Sequence, residues 1–206
     1  MRVFIGPDAA VYEHFKAARA ASPESVLWVR LFSDGYSLLL HPVYLYFLYR
    51  WFRQSRREDL KFVLACYVAQ LLVAVLLCRF VKIAVGRPRP MTGGDFDPFS
   101  LGWGYQSFPS GHTTEALGAT LPLAFRFGRF ALPLLLGLLV ACVGYSRLYL
   151  GMHHPTDIWG GIVFGSLSGY VSWKLFTVPG DTARRFVPTW ARNRSGVVRF
   201  FETVFK

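Results

Sequence analysis

The chain has 206 residues, a formal net charge of +11, 53% hydrophobic residues and 17% aromatic residues. This length points to a single domain, and so apolar a composition excludes disorder. Its three cysteines, Cys66, Cys78 and Cys142, lie inside apolar runs, which excludes a secreted disulfide scaffold. Apolar residues gather in long stretches with charges between and after them, the pattern of a polytopic membrane protein. The basic residues punctuate these stretches and form no soluble basic face, which favours anionic lipid over nucleic acid as a partner.

Residues 1–34 carry Arg2, Asp8, Glu13, Lys16, Arg19, Glu24, Arg30 and Asp34 and hold no uninterrupted apolar core or cleavable signal pattern. Helical spacing of apolar residues over 10–21 and 22–32 predicts two short interfacial helices, the second capped by Ser22 with Pro23 at its first position. Five apolar spans follow, at about 36–52, 60–85, 110–127, 130–150 and 155–176. Each approaches the ~20 residues a helix needs to cross ~30 Å of hydrocarbon. The third is short, the least hydrophobic, and contains Pro122, so it is expected inside the bundle. The fifth carries Gly161, Gly165 and Gly169 at four-residue spacing, which favours close approach to a neighbouring helix.

The expected architecture is an all-α transmembrane bundle of five to six membrane helices. It divides into N-terminal interfacial helices (1–34), a membrane domain (35–178) and a basic tail (179–206). The tail reads either as an amphipathic helix on the inner leaflet or as a plain positive-inside anchor. Arg50, Arg53, Arg56, Arg57 and Lys61, then Arg126 and Arg129, then Lys174 and the tail fall on one side, expected to be cytoplasmic. The N-terminus, the loop 86–109 and the turn around His153 then face outward.

Chemistry-bearing residues collect on that outer side. Lys82 ends the second span, and Arg87 and Arg89 follow in Gly-Arg-Pro-Arg-Pro. Phe-Pro-Ser-Gly-His puts Ser110, Gly111 and His112 at the start of the third span; Ser146-Arg147 ends the fourth, and His153, His154 and Asp157 open the fifth. Cations at membrane depth cost roughly 2.5–3.5 kcal/mol each on insertion scales. An anion among Lys82, Arg89 and Arg147 relieves both that cost and their mutual repulsion, and guanidinium forks fit phosphate oxygens. Ser110-Gly111 at a helix start offers free N–H groups to the same anion. Two imidazoles beside a phosphate suit a nucleophile and an acid, and Asp157, four residues after His153, can reach its far ring nitrogen. Adjacent His153 and His154 point apart and no Cys or Glu cluster joins them, so no metal is expected. Arg87 and His154 are possible headgroup contacts, with plain surface or interfacial roles as alternatives. Glu115 either tunes His112 or bonds a neighbouring helix.

Lys82-x6-Arg89-Pro90, Pro109-Ser110-Gly111-His112 and Ser146-Arg147-x5-His153-x3-Asp157 together resemble the three-part signature of the type 2 phosphatidic acid phosphatase superfamily. The resemblance runs from the second span to the fifth, with every signature position filled. It implies a helical bundle and cofactor-free, metal-independent dephosphorylation through a phosphohistidine. His153 would be the nucleophile, Asp157 its partner and His112 the general acid, with Lys82, Arg89, Ser110, Gly111 and Arg147 holding phosphate. It further implies a lipid phosphate or diphosphate as substrate: undecaprenyl diphosphate, phosphatidylglycerol phosphate, phosphatidate or the 1-phosphate of lipid A. The expected setting is a bacterial inner membrane, with the site on the periplasmic or extracellular face, the N-terminus out and the C-terminus in. Many members have six spans, against five here. A lipid phosphotransferase and a non-enzymatic lipid-binding membrane protein are the alternative readings. For the hydrolase, the rate is expected to be bell-shaped in pH, with both limbs between about pH 5 and 9 if the imidazoles titrate near their usual values.

Overall fold

The computed structural model describes residues 6–178, and within them all regular structure is helical. The basic tail expected over 179–206 lies outside the described residues. Helices α1 (Gly6–Ala21) and α2 (Pro23–Gly35) precede five long helices: α3 (Ser37–Gln54), α4 (Arg57–Val85), α5 (Gly111–Phe127), α6 (Ala131–Tyr149) and α7 (Pro155–Thr177). A short 3-10 turn, Trp103–Tyr105, sits in the loop between α4 and α5.

Two helices are long and apolar enough to cross a membrane by length and composition alone: α4, with mean hydropathy 2.3, and α6, with mean hydropathy 1.8. The other three spans read from the sequence are present as helices but fall short of that standard. Their composition explains why. α3 carries His41, Arg50 and Arg53, α5 carries His112, Glu115 and Arg126, and α7 is rich in glycine and serine. The surface is nonetheless apolar where α6 faces outward: Leu134, Leu135 and Leu138 are each about 60% exposed. Ser146 and Arg147 on the same helix are buried. That inverted pattern suits hydrocarbon rather than water.

α5 and α7 form the centre. A methyl group added to Gly161 would lie 2.8 Å from the Ser110 carbonyl oxygen, and one on Gly165 would lie 2.9 Å from that of Thr114. The glycine spacing therefore does bring two backbones together, as small residues permit. α4 departs from α-helical winding over Gln70–Leu77, a π-helical stretch. Gln70 opens it and ties the central pair to α4: its Nε2 donates to the Glu115 carbonyl at 2.9 Å, and its Oε1 accepts from Ser168 at 3.1 Å.

At one end of the bundle Tyr44, Phe47, Phe62 and Leu123 pack together. The Arg126 guanidinium lies 4.5 Å from the Phe62 ring centre and 4.7 Å from that of Phe47, and it pairs with buried Asp59. Arg50 completes this pairing at 3.0 Å. A cation held over aromatic faces and on a carboxylate can stay at the bundle end without water.

At the other end α4 stops at Gly86, whose left-handed backbone (φ 57°) turns the chain back. A side chain there would collide with the Asp97 carbonyl at 1.8 Å, so the turn requires glycine. The loop that follows folds over the bundle and docks on the start of α7, where the Ser110 N–H donates to the Asp157 carbonyl at 2.9 Å. α1 lies across the same rim. Asp8 meets Thr156 near one end of the helix, and Arg19 donates to the Tyr149 carbonyl near the other.

Candidate active site

Asp157 is the best-anchored carboxylate among the described residues. Its Oδ1 accepts from Arg87 Nη1 at 2.8 Å; its Oδ2 accepts from Ser107 Oγ at 2.5 Å and from the His154 N–H at 2.8 Å. The last bond is the reciprocal cap of α7, whose first turn Pro155 opens. Asp157 is fully buried, so these donors both solvate its charge and fix its direction. Oδ2 also stands 3.5 Å from His153 Nδ1, which has no hydrogen-bond partner at shorter range among the described residues. The spacing of four residues thus brings the carboxylate to the far ring nitrogen. The distance is long for a hydrogen bond, as is common before a substrate binds.

His153 sits in the turn before α7 and is buried. Burial pushes its imidazole down to about 3, Asp157 opposing that shift and the nearby Lys82 and Arg89 adding to it. The ring is therefore neutral throughout the physiological range, the state in which nitrogen carries a free lone pair.

Lys82 and Arg89 lie near this pair and rest on backbone carbonyls, and Arg147 stands beside Arg89. Lys82 Nζ donates to the carbonyls of Pro109 (2.6 Å) and Gln106 (3.1 Å). Arg89 donates to those of Met152 (2.9 Å) and Trp103 (3.2 Å), with its guanidinium 4.2 Å from the Trp103 ring centre. Burial, with Arg147 beside it, pulls Arg89 down to about 10, still cationic at neutral pH. Arg147 donates to Ser33 Oγ at 2.9 Å, while its Nε is buried with no partner among the described residues. Ser110 is buried and begins α5, and a methyl group on Gly111 would meet only Lys82 Cε, at 3.8 Å. The backbone is thus open toward the cations. His112 follows, partly exposed, 3.6 Å from Asp34. Among the described residues no group of three or more His, Cys, Asp or Glu comes together to hold a metal ion.

All eight residues expected to carry catalysis or phosphate binding therefore lie at one rim. The two offered as headgroup contacts do not face outward. Arg87 is buried with its guanidinium divided between Asp157 and Asp8, at 2.8 and 2.7 Å, and it also donates to Thr156 at 2.5 Å. His154 is buried too, with Nε2 3.3 Å from the Pro88 carbonyl. An arginine between a glycine and a proline in a loop gives no sign that a carboxylate some eighty residues earlier will complete its pairing. Asp8, Ser107, Ser33 and Asp34 were likewise invisible in the sequence, because each matters only through a neighbour distant along the chain. At Glu115 the contact seen is a main-chain one, its carbonyl accepting from Gln70.

Beneath His112 a cavity of about 260 Å³, lined by Tyr36, Leu40, Tyr44, Ala74 and Ala119 among others, opens between α3, α4 and α5. The Tyr36 hydroxyl donates to the His112 carbonyl at 3.2 Å, which places the cavity directly against the site.

Comparison with known proteins agrees with this geometry. The PAP2 superfamily matches residues 62–180, more than half of the chain. The chain is 26% identical over 196 residues to the undecaprenyl-diphosphatase BcrC of Bacillus subtilis, covering 94% of this chain and 92% of that one. It is 35% identical over 98 residues to the lipid A 1-phosphatase of Rhizobium etli, covering 44% and 40%. The solved transmembrane PAP2-type phosphatidylglycerolphosphate phosphatase of Bacillus subtilis shares the fold, with a TM-score of 0.58 at 23% identity over 88% of this chain and 87% of that one. The chain belongs to the PAP2 superfamily, as a membrane lipid phosphatase of its bacterial branch.

Proposed function

We propose that this protein hydrolyses a lipid phosphomonoester or diphosphate through a phosphohistidine on His153. One observation carries the reading: a buried imidazole, backed by an anchored carboxylate, lies at one rim with Lys82 and Arg89, whose partners are backbone carbonyls, and with Arg147, which rests on a hydroxyl and an exposed carboxylate. Lys82, Arg89 and Arg147 take the phosphoryl oxygens; the Ser110 N–H is already spent on the Asp157 carbonyl, so the Gly111 N–H at the start of α5 supplies the further backbone donor to charge that builds in the transition state. The free ring nitrogen of His153 attacks phosphorus as the bond to the lipid oxygen breaks, and protonated His112 gives its proton to that oxygen. The positive charge left on the His153 ring is met by Asp157, and the 3.5 Å separation is expected to close as it develops. Water then attacks the phosphohistidine, neutral His112 takes its proton, the P–N bond breaks, and inorganic phosphate leaves. The positive charge in the site comes from side chains, so the route is metal-independent.

The substrate's tail is expected in the cavity between α3, α4 and α5, a mainly apolar slot that Tyr36 joins to His112. The coverage of an undecaprenyl-diphosphatase over nearly its whole length favours a polyprenyl diphosphate among the candidates. In the orientation we propose, Arg50, Arg126 and Lys61 lie at the cytoplasmic end, the five long helices span the membrane, and the site faces the periplasm or exterior. The test is phosphate release from undecaprenyl diphosphate, phosphatidylglycerol phosphate, phosphatidate and lipid A 1-phosphate by wild type and His153→Ala. Wild type should release phosphate from at least one of them and the variant from none. Equal rates for the two proteins would refute the reading.

A further inference from the structure

The residue beside His112 lies outside every signature motif and outside the family-matched stretch. Asp34 is the next-to-last residue of α2, and its Oδ1 stands 3.6 Å from His112 Nε2 and 3.4 Å from Arg147 Nη1. Its neighbour Ser33 is fully buried and accepts from the same Arg147 nitrogen at 2.9 Å. α2 is therefore pinned to α6 one residue before Asp34, and the carboxylate is delivered to the imidazole rather than drifting past it. Three cations also act on the ring. Lys82 from α4, Arg89 from the loop and Arg147 from α6 all repel a proton on it. Tyr36 packs against the ring, with centroids 6.1 Å apart, and Glu115 stands one turn along its own helix. A general acid set among three cations loses its proton too readily unless a negative charge compensates.

We propose that Asp34 is the carboxylate partner of His112, a positioning residue that favours the protonated ring against the neighbouring cations and aims it beside Arg147. The site then has two carboxylate–imidazole pairs with opposite duties. Buried Asp157 serves a ring that must begin neutral; Asp34, 60% exposed, serves one that must begin charged and regain its proton each turnover. This role for His112 rests on the hydrolase reading, so the test reads the ring directly as well as the rate.

Full-length protein in lipid nanodiscs, carrying isotope-labelled histidine, would be titrated by NMR as wild type, Asp34→Asn and Asp34→Glu. The His112 signal is assigned by its loss in His112→Asn. An opposite charge at this range shifts an imidazole by about one pH unit when half-exposed, at the low end of the usual effect. Asp34→Asn should lower the His112 midpoint by that amount, and Asp34→Glu should restore it. The alkaline limb of kcat/KM should fall with it, giving about tenfold lower activity above the limb, while the acid limb stays. A His112 midpoint unmoved by Asp34→Asn overturns the proposal. So does an unmoved midpoint with tighter inhibition by orthovanadate, which would make Asp34 a placeholder for phosphate. Should wild type hydrolyse no lipid phosphate, the functional reading falls, while the NMR midpoint still decides Asp34.

Discussion

Replacing Arg87 with methionine removes the link between α1 and the carboxylate behind His153. The guanidinium bridges two carboxylates that are 1% and 0% exposed, so its loss leaves two buried anions facing a thioether. Breaking a buried ion pair typically costs about 3–5 kcal/mol. Here each carboxylate keeps neutral donors, Ser107 and the His154 N–H for Asp157 and Thr156 for Asp8. That places the cost near the low end, about 3 kcal/mol, or a fall in Tm of about 6–12 °C for a chain of this size. Asp157 would also lose the donor that fixes its Oδ1. A carboxylate shifted on the ångström scale behind His153 should lower kcat about 100-fold. Adding Asp8→Asn removes one of the two stranded charges. The double variant should therefore be more stable than Arg87→Met alone, with a coupling of about 1–3 kcal/mol. Thermal melting in detergent and phosphate release on the same preparations check both numbers. An Arg87→Met protein with wild-type melting and turnover, or strictly additive effects with Asp8→Asn, would refute the buried-bridge account.

Four further outcomes are expected. Because burial holds His153 near 3, below the usual imidazole value of about 6.5, the unfolded chain binds the extra proton first as pH falls; this contribution to stability is full above about 6.5 and is lost as pH drops toward 3. For the same reason the acid limb of kcat/KM should lie below pH 5 once substrate ionisation near about 6 is allowed for, lower than an unperturbed imidazole would put it; a limb at 6.5 assigned to His153 would contradict the burial. Gly161→Val should force α5 and α7 apart, lowering stability by about 1–3 kcal/mol and abolishing activity, whereas Gly137→Ala, with nothing within 4 Å of its new methyl, should be neutral or slightly stabilising in melting experiments. Turnover should be unchanged by EDTA; a loss restored by a divalent cation would mean that the three basic side chains do not suffice.

The five long helices were legible because apolar stretches of membrane length need no knowledge of tertiary structure. Their observed ends fall within a few residues of those read from the sequence, even for α5, whose polar content hides it from a hydropathy criterion. The rim was legible for a different reason: a cation ending a hydrophobic span is expensive unless something compensates it, so Lys82 and Arg147 marked where polar groups would gather. What stayed hidden was every contact that pairs ends of the chain. Asp8 and Asp34 are ordinary acids in an N-terminal segment of mixed charge, and nothing local sets them apart from Glu13 or Glu24. The π-helical stretch of α4 was hidden too, since Gln70–Leu77 is apolar apart from its first residue and periodicity cannot reveal an added backbone residue.

The basic residues of the bundle separate by the kind of partner each one has, and that separation distinguishes structural cations from substrate-binding ones. Arg50, Arg87 and Arg126 all sit on carboxylates, with Asp59 shared by the first and last and Asp8 and Asp157 by the second. Their charge is already answered within the protein, and a phosphate brought to them would have to displace an internal anion. Lys82 and Arg89 instead rest on carbonyl oxygens of the loop and turn that build the rim. Dipoles of this sort orient a cation and satisfy its N–H groups without cancelling its net charge, so its field remains available to an incoming dianion. Arg147 stands between the two classes, facing one hydroxyl and one half-exposed carboxylate at 3.4 Å. Ionic substitutions should divide along the same line: Arg89→Gln should chiefly weaken binding of phosphate and its analogues with little change in melting temperature, and Arg126→Gln should chiefly lower melting temperature by stranding Asp59. Paired measurements of orthovanadate inhibition and thermal melting would show the division, and a reversal of the two effects would break the assignment of the rim cations to substrate.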